Sequence, residues 1–135
     1  MSKYYFQRHF TLAEANALLP FLKDSFKKIH WMQEELIGKF PEMSAILERK
    51  VTDGGFANSV EYLESSAEIT RVIKDILKTG AELKDLSRGL VDFPHLSEGK
   101  EVLLCWQLGE EKLLFWHGLE AGYAGRQPLY LDLRK

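Results

Sequence analysis

Cysteine is nearly absent: the chain of 135 residues has one, Cys105, which excludes an internal disulfide. Long apolar runs are absent too. None approaches the roughly 20 residues that a membrane-crossing helix needs, so no membrane role is expected. Nor does one sign of charge prevail, since 18 Lys and Arg stand against 20 Asp and Glu for a formal net charge of −2. Lys23, Lys27, Lys28 and Lys39 are interleaved with Asp24, Glu34 and Glu35, a balance that provides no field to gather nucleic acid. The opening MSKYYFQRHF lacks the apolar run of a secretion signal, which points to a cytoplasmic protein. What the chain does have is 45% hydrophobic and 12% aromatic residues, enough to build the core of a single domain over residues 1–135.

The first half carries a helical period. Ala15, Leu18, Leu22, Phe26, Ile29, Met32, Leu36 and Phe40 recur at three- and four-residue steps from Leu12 to about Phe40, so one side of a long helix faces a partner. Thr11 and Glu14 have the spacing of a reciprocal N-terminal cap. Pro20 cannot donate to the Asn16 carbonyl, which predicts a kink: either a bend around the core or a means of turning Asn16 toward a site. A shorter helical piece, Pro41 to about Lys50, leads into the loop Thr52-Asp53-Gly54-Gly55. Asn58, with Glu61 three residues on, starts a further helix whose buried stripe is predicted as Leu63, Ala67, Thr70, Ile73 and Leu77, and Gly80 ends it. These pieces make two antiparallel helical arms over residues 12–80.

Beyond Gly80 the period changes to that of strands. Glu82 to Leu86 and Leu90 to Phe93 flank Ser87-Arg88-Gly89, Pro94 is expected to end the second strand, and Glu101 to Leu108 pairs with Glu111 to His117. Residues 81–135 therefore read as an antiparallel sheet of about four strands wrapped by a glycine-rich tail, with a short apolar patch at Leu129 to Leu131. The fold class is α+β, a long helical hairpin with a kinked first helix packed with a small antiparallel sheet.

Residues 105–117 read CWQLGEEKLLFWH, and Gly109-Glu110 fits a two-residue hairpin turn. Such a turn sets Trp106 opposite Leu113, Cys105 opposite Leu114, Leu104 opposite Phe115 and Val102 opposite His117. Side chains alternate across a sheet, so Cys105 and His117 are expected on opposite faces, with Cys105 a buried small apolar residue and Glu110 and Glu111 solvated turn charges. No shared metal and no cofactor follow from that arrangement. Both hairpin faces are apolar. One can take the helices, and the other needs a cover from the tail, a second copy of the chain or a ligand.

Asp92 stands on a strand side otherwise given to Leu90, and a charge buried there needs a partner, for which Arg126, Arg88 and His117 are candidates. Asp92, His117 and Arg126, with Asp85 and Arg88, are the candidate ligand-binding residues. They read as an ion-pair network tying the tail to the sheet, or as a pocket for a small anionic ligand.

The stretches FTLAEANALLP, KDLSRGLVDFP, LLCWQLGEEKLLFWH and AGYAGRQPL resemble a prokaryotic domain-of-unknown-function family, number 2203, most densely from Lys84 to Leu129. The resemblance marks Asp85, Arg88, Gly89, Asp92, Pro94, Cys105, Trp106, Gly109, Glu110, Trp116, His117, Gly122 and Arg126 as motif positions and implies no activity or cofactor. In that family an acidic residue often follows the motif His, where this chain has Gly118, which argues against a metal site built on such a carboxylate. The leading function is a binding or interaction module that self-associates as a homodimer through the uncovered sheet face. A small hydrolase or isomerase would use His117 as general base, oriented by Asp92, with Arg126 holding an anionic substrate. A metal-dependent enzyme would need Asp92 or Asp85 with His117 and Glu120.

Overall fold

A computed structural model describes residues 3–39 and 60–129. Phe40, the Pro41–Lys50 piece, the Thr52–Gly55 loop, the Asn58 cap and Leu131 lie outside the described residues, as do the side chains of Glu61 and Leu63.

Helix α1, Leu12–Lys39, opens on the expected cap: the Glu14 amide donates to Thr11 Oγ1 at 3.0 Å and the Thr11 amide to Glu14 Oε1 at 2.9 Å. It continues through Pro20, and Asn16, one turn earlier, accepts from the Leu113 amide at 2.9 Å through its Oδ1. Ala15, Leu19, Leu22, Phe26, Ile29 and Leu36 form its buried stripe, with Leu18 and Met32 packed at the edges. Helix α2, Val60–Lys78, buries Ile69, Val72 and Ile76, while Ala67 and Leu77 are exposed. The buried face is thus rotated by about one residue from the predicted stripe. Ile69, Val72, Ile73 and Ile76 supply the fuller i, i+3, i+4, i+7 set of branched side chains, and that set wins the core. Arg8 donates to the Thr79 carbonyl and the Phe10 ring packs at Gly80, so the start of α1 lies beside the end of α2 and the helices run antiparallel.

Among the described residues five antiparallel strands follow, neighbours in chain order: β1 Glu82–Asp85, β2 Leu90–Ser97, β3 Lys100–Gln107, β4 Phe115–His117 and β5 Gln127–Pro128. The additional strand is β5, a two-residue piece of the tail paired with Phe115 and Trp116. Pro94 does not end β2. Pairing with β1 stops at Asp92, so beyond it that side of β2 is an open edge where a missing N–H goes unmissed. The Pro94 carbonyl uses the same edge to accept from the Phe10 amide at 2.7 Å. One sheet face packs on the helices: Val91, Phe93, Leu104 and Trp106 join the helical stripes in a single core. Phe10 meets Phe93 edge-on at 5.3 Å between centroids, and Trp106 lies 6.3 Å from Phe26.

Gly89 closes the β1–β2 turn at φ +67°, and a Cβ there would stand 2.6 Å from Leu108 Cβ. Its carbonyl accepts from the Leu108 amide at 2.9 Å, so neither chain can back away freely. Gly89→Ala is expected to cost about 2–3 kcal/mol in urea unfolding, left-handed backbone strain and overpacking acting together.

Candidate functional site

Which side chains share the second sheet face depends on how the chain reverses between β3 and β4. The Trp106 indole Nε1 donates to the Glu110 carbonyl at 2.8 Å, and the Gln107 amide donates to Glu110 Oε1 at 2.8 Å. The Leu113 amide goes to Asn16, so these groups are satisfied outside the strand ladder. In place of a turn at Gly109-Glu110 the chain reverses one residue earlier, the Glu110 amide donating to the Gln107 carbonyl at 3.0 Å. It then runs through a wide loop before pairing resumes at Cys105 with Phe115, Leu104 with Trp116 and Leu103 with His117. Nine residues, 106–114, now separate Cys105 from its partner, an odd number where a two-residue turn requires an even one. The predicted register is displaced by one residue, and every β4 side chain changes face. Cys105 and His117 therefore lie on the same face, contrary to the sequence expectation, and Trp116 turns to the core.

Asp92 joins them because it pairs with Cys105 across β2 and β3. One donor atom from each of Asp92, Cys105 and His117 lies within 4.8 Å of the other two. All three side chains are deeply buried, with residue exposures of 2%, 0% and 2%. His117 Nε2 is 3.0 Å from Asp92 Oδ2, and its Nδ1 is 2.8 Å from the Gly118 carbonyl. Of the three partners the sequence offered Asp92, the fold uses His117. The Gly118 carbonyl can only accept, so Nδ1 carries a proton, and Nε2 shares a hydrogen bond with the Asp92 carboxyl. The pKa of His117 is raised accordingly, most by the Asp92 hydrogen bond, with burial opposing and the Gly118 carbonyl adding. Burial above all pushes the Cys105 thiol up to about 12; the Asp92 charge reinforces that and Arg126 opposes it. A thiol held protonated in this way is no nucleophile at neutral pH, and neither occupied imidazole nitrogen is left to take its proton.

Arg126 caps the cluster from the tail. Its Nη2 donates to both Glu110 oxygens at 2.8 Å and to the Cys105 carbonyl at 3.3 Å, and its guanidinium lies over the Phe115 ring at 4.0 Å and the Tyr123 ring at 4.7 Å. Glu110 is thus an ion-paired buttress of the loop and not a solvated turn charge, whereas Glu111 is exposed as expected. Asp85 stays at the β1–β2 turn, accepting from Ser87 Oγ at 3.0 Å and the Arg88 amide at 3.1 Å. Arg88 reaches the rim of the site only through Tyr123, over whose ring it lies at 4.7 Å. Glu120 is exposed and outside the cluster.

Among the described residues, two buried side-chain atoms have no hydrogen-bond partner: Asp92 Oδ1 and Arg126 Nε. Both belong to this site. Leu90 and Leu103, on the same face, are 7% and 3% exposed, so that face is covered within one chain. Sequence alternation leaves Cys105 outside the site because it rests on a turn at Gly109-Glu110, whose even parity the observed register breaks. The available signal was Gly109-Glu110-Glu111-Lys112, four residues without an apolar side chain, too many for a strand to resume directly after a tight turn.

A family model described as "Uncharacterized conserved protein (DUF2203)" matches residues 8–129. Neither the curated proteins nor the solved structures contain a match to the chain.

Proposed function

The chain belongs to that family, and we propose that it binds one divalent transition-metal ion, zinc by ligand type, at Asp92, Cys105 and His117. The carrying observation is the unpartnered Asp92 Oδ1, a buried acceptor within a thiol–imidazole–carboxylate cluster. Cys105 Sγ, His117 Nε2 and Asp92 Oδ1 offer three donors of the types zinc takes, leaving the fourth tetrahedral position to a water. Zinc bonds of about 2.0–2.3 Å set tetrahedral donors roughly 3.3–3.8 Å apart, so a cluster already within 4.8 Å needs only a small contraction. The Nδ1–H donated to the Gly118 carbonyl is the outer bond that orients a metal-ligating histidine and leaves Nε2 for the ion.

Charge supports the same reading. Without metal, an aspartate, an imidazolium and a neutral thiol sum to zero. With a divalent ion, the thiol and imidazolium each release a proton, and aspartate, thiolate, neutral imidazole and ion again sum to zero. A buried site tolerates either state, which few clusters of this burial would. Because all three ligands are buried, no substrate has a path to the ion, and the role is to fasten β2, β3 and β4 together. This takes the place of the homodimer through an uncovered face, since the chain covers that face itself, and of a hydrolase, since both nitrogens of the His117 base are occupied.

Cobalt(II) titrated into reduced, metal-free protein reports the ligand set directly. One equivalent is expected to give a sulfur-to-cobalt charge-transfer band with the visible bands of a tetrahedral ion. Cys105→Ser should lose the former, and His117→Ala and Asp92→Asn should weaken binding at least 10-fold. A wild-type protein that takes up no cobalt, or takes it up with no sulfur band, is incompatible with the site.

A further inference from the structure

Arg126 presents a second incomplete atom, and it is a donor where that of Asp92 is an acceptor. Its Nε–H is buried without a partner, although the same guanidinium is fixed on every other side. Nη2 holds Glu110 and the Cys105 carbonyl, Nη1 lies 3.3 Å from Tyr123 Oη, and Phe115, directly across the ladder from Cys105, carries the guanidinium face at 4.0 Å. A planar fork so constrained has no freedom to seek another acceptor, and the carbonyl it bonds belongs to the residue whose sulfur would become an anion. Glu110 neutralises the guanidinium, so its nearness does not repel a cation from the cluster.

Resting on the metal-site reading above, we infer that Arg126 is the outer positioning residue of that site, its Nε–H donating to the Cys105 thiolate once the ion is bound. The two orphaned atoms are then completed in one event: Asp92 Oδ1 by the ion, and Arg126 Nε by the sulfur that the ion has deprotonated. Outer-shell donors of this kind orient the ligand and draw charge off it, and losing one costs metal affinity by 10- to 100-fold. A protonated thiol is a poor acceptor, which accounts for an Nε left unpaired without metal.

Cobalt(II)-loaded wild type, Arg126→Gln and Arg126→Lys test the assignment. Removing the N–H···S bond raises the sulfur lone pair in energy, so the sulfur-to-cobalt band should move to longer wavelength in both variants. Affinity should fall about 10- to 100-fold in the Gln variant and less in the Lys variant, which keeps the charge. A purely structural tail anchor would lower affinity without moving the band. An unmoved band with affinity within about twofold of wild type overturns the role of Arg126 and leaves the metal site standing. Should the Gln variant fail to fold, the Lys variant, with its intact stem and charge, decides on band position alone. Absence of any sulfur band in the wild type overturns both.

Discussion

His117→Ala is expected to lower the unfolding free energy of the metal-free protein by about 3–5 kcal/mol, read from denaturant melts near pH 6. The effect comes less from the lost contact than from what stays behind: Asp92 would keep a charge at 2% exposure, with neither oxygen paired by the ring. The companion double variant Asp92→Leu with His117→Leu should be far milder, because removing both members of a buried pair can be neutral when the replacements pack. A single variant within about 1 kcal/mol of wild type, the range of an exposed ion pair, would show that the pair is solvated and the cluster not closed. The pH trend has a fixed sign. The folded-state pKa of His117 is raised above its ordinary 6.5, so the pair's contribution is complete below that value and is lost as pH climbs through the folded pKa. Metal-free wild type should therefore weaken on the alkaline side of 6.5 more steeply than the double variant, which has no imidazole to titrate.

Zinc at about 100 times its dissociation constant should raise the unfolding free energy by about 2.7 kcal/mol and the melting temperature by about 10 °C, and a chelator should reverse both. Binding displaces protons from Cys105 and His117, so the stabilisation by zinc grows with pH while that of the metal-free protein declines. Opposite slopes in one protein are a demanding signature, because adventitious surface binding would not respond to the state of a buried thiol. Cys105→Ser should abolish the zinc effect while leaving the metal-free melt close to wild type. A zinc effect that survives this substitution would place the ion elsewhere.

Much of the fold was legible because local chemistry and packing agreed. The Thr11–Glu14 cap, the stripe of α1 and the end of α2 at Gly80 each depend on residues within one or two turns of each other. Asp92 could be singled out from strand alternation alone, and His117 was among its possible partners. What could not be read locally was the register of β4. It is set by the indole of Trp106, the carboxylate of Glu110 and the amide of Asn16, the last from a helix 97 positions earlier in the chain than the amide it receives. A two-residue turn at Gly109-Glu110 was sterically sound, yet the tertiary partners of Glu110 and Leu113 made the wider loop better satisfied. That one-residue difference carried Cys105 from the far side of the sheet into the site. The α2 stripe erred for a smaller reason, two overlapping apolar sets differing by about one residue in phase.

The three ligands come from successive strands joined by separate connections, so no two neighbouring positions in the chain can hold the ion by themselves. Capture must wait until the β2–β3 hairpin and the wide β3–β4 loop have both closed. In refolding, cobalt colour would then appear last, as a clock for completion of the sheet and not as a seed for it.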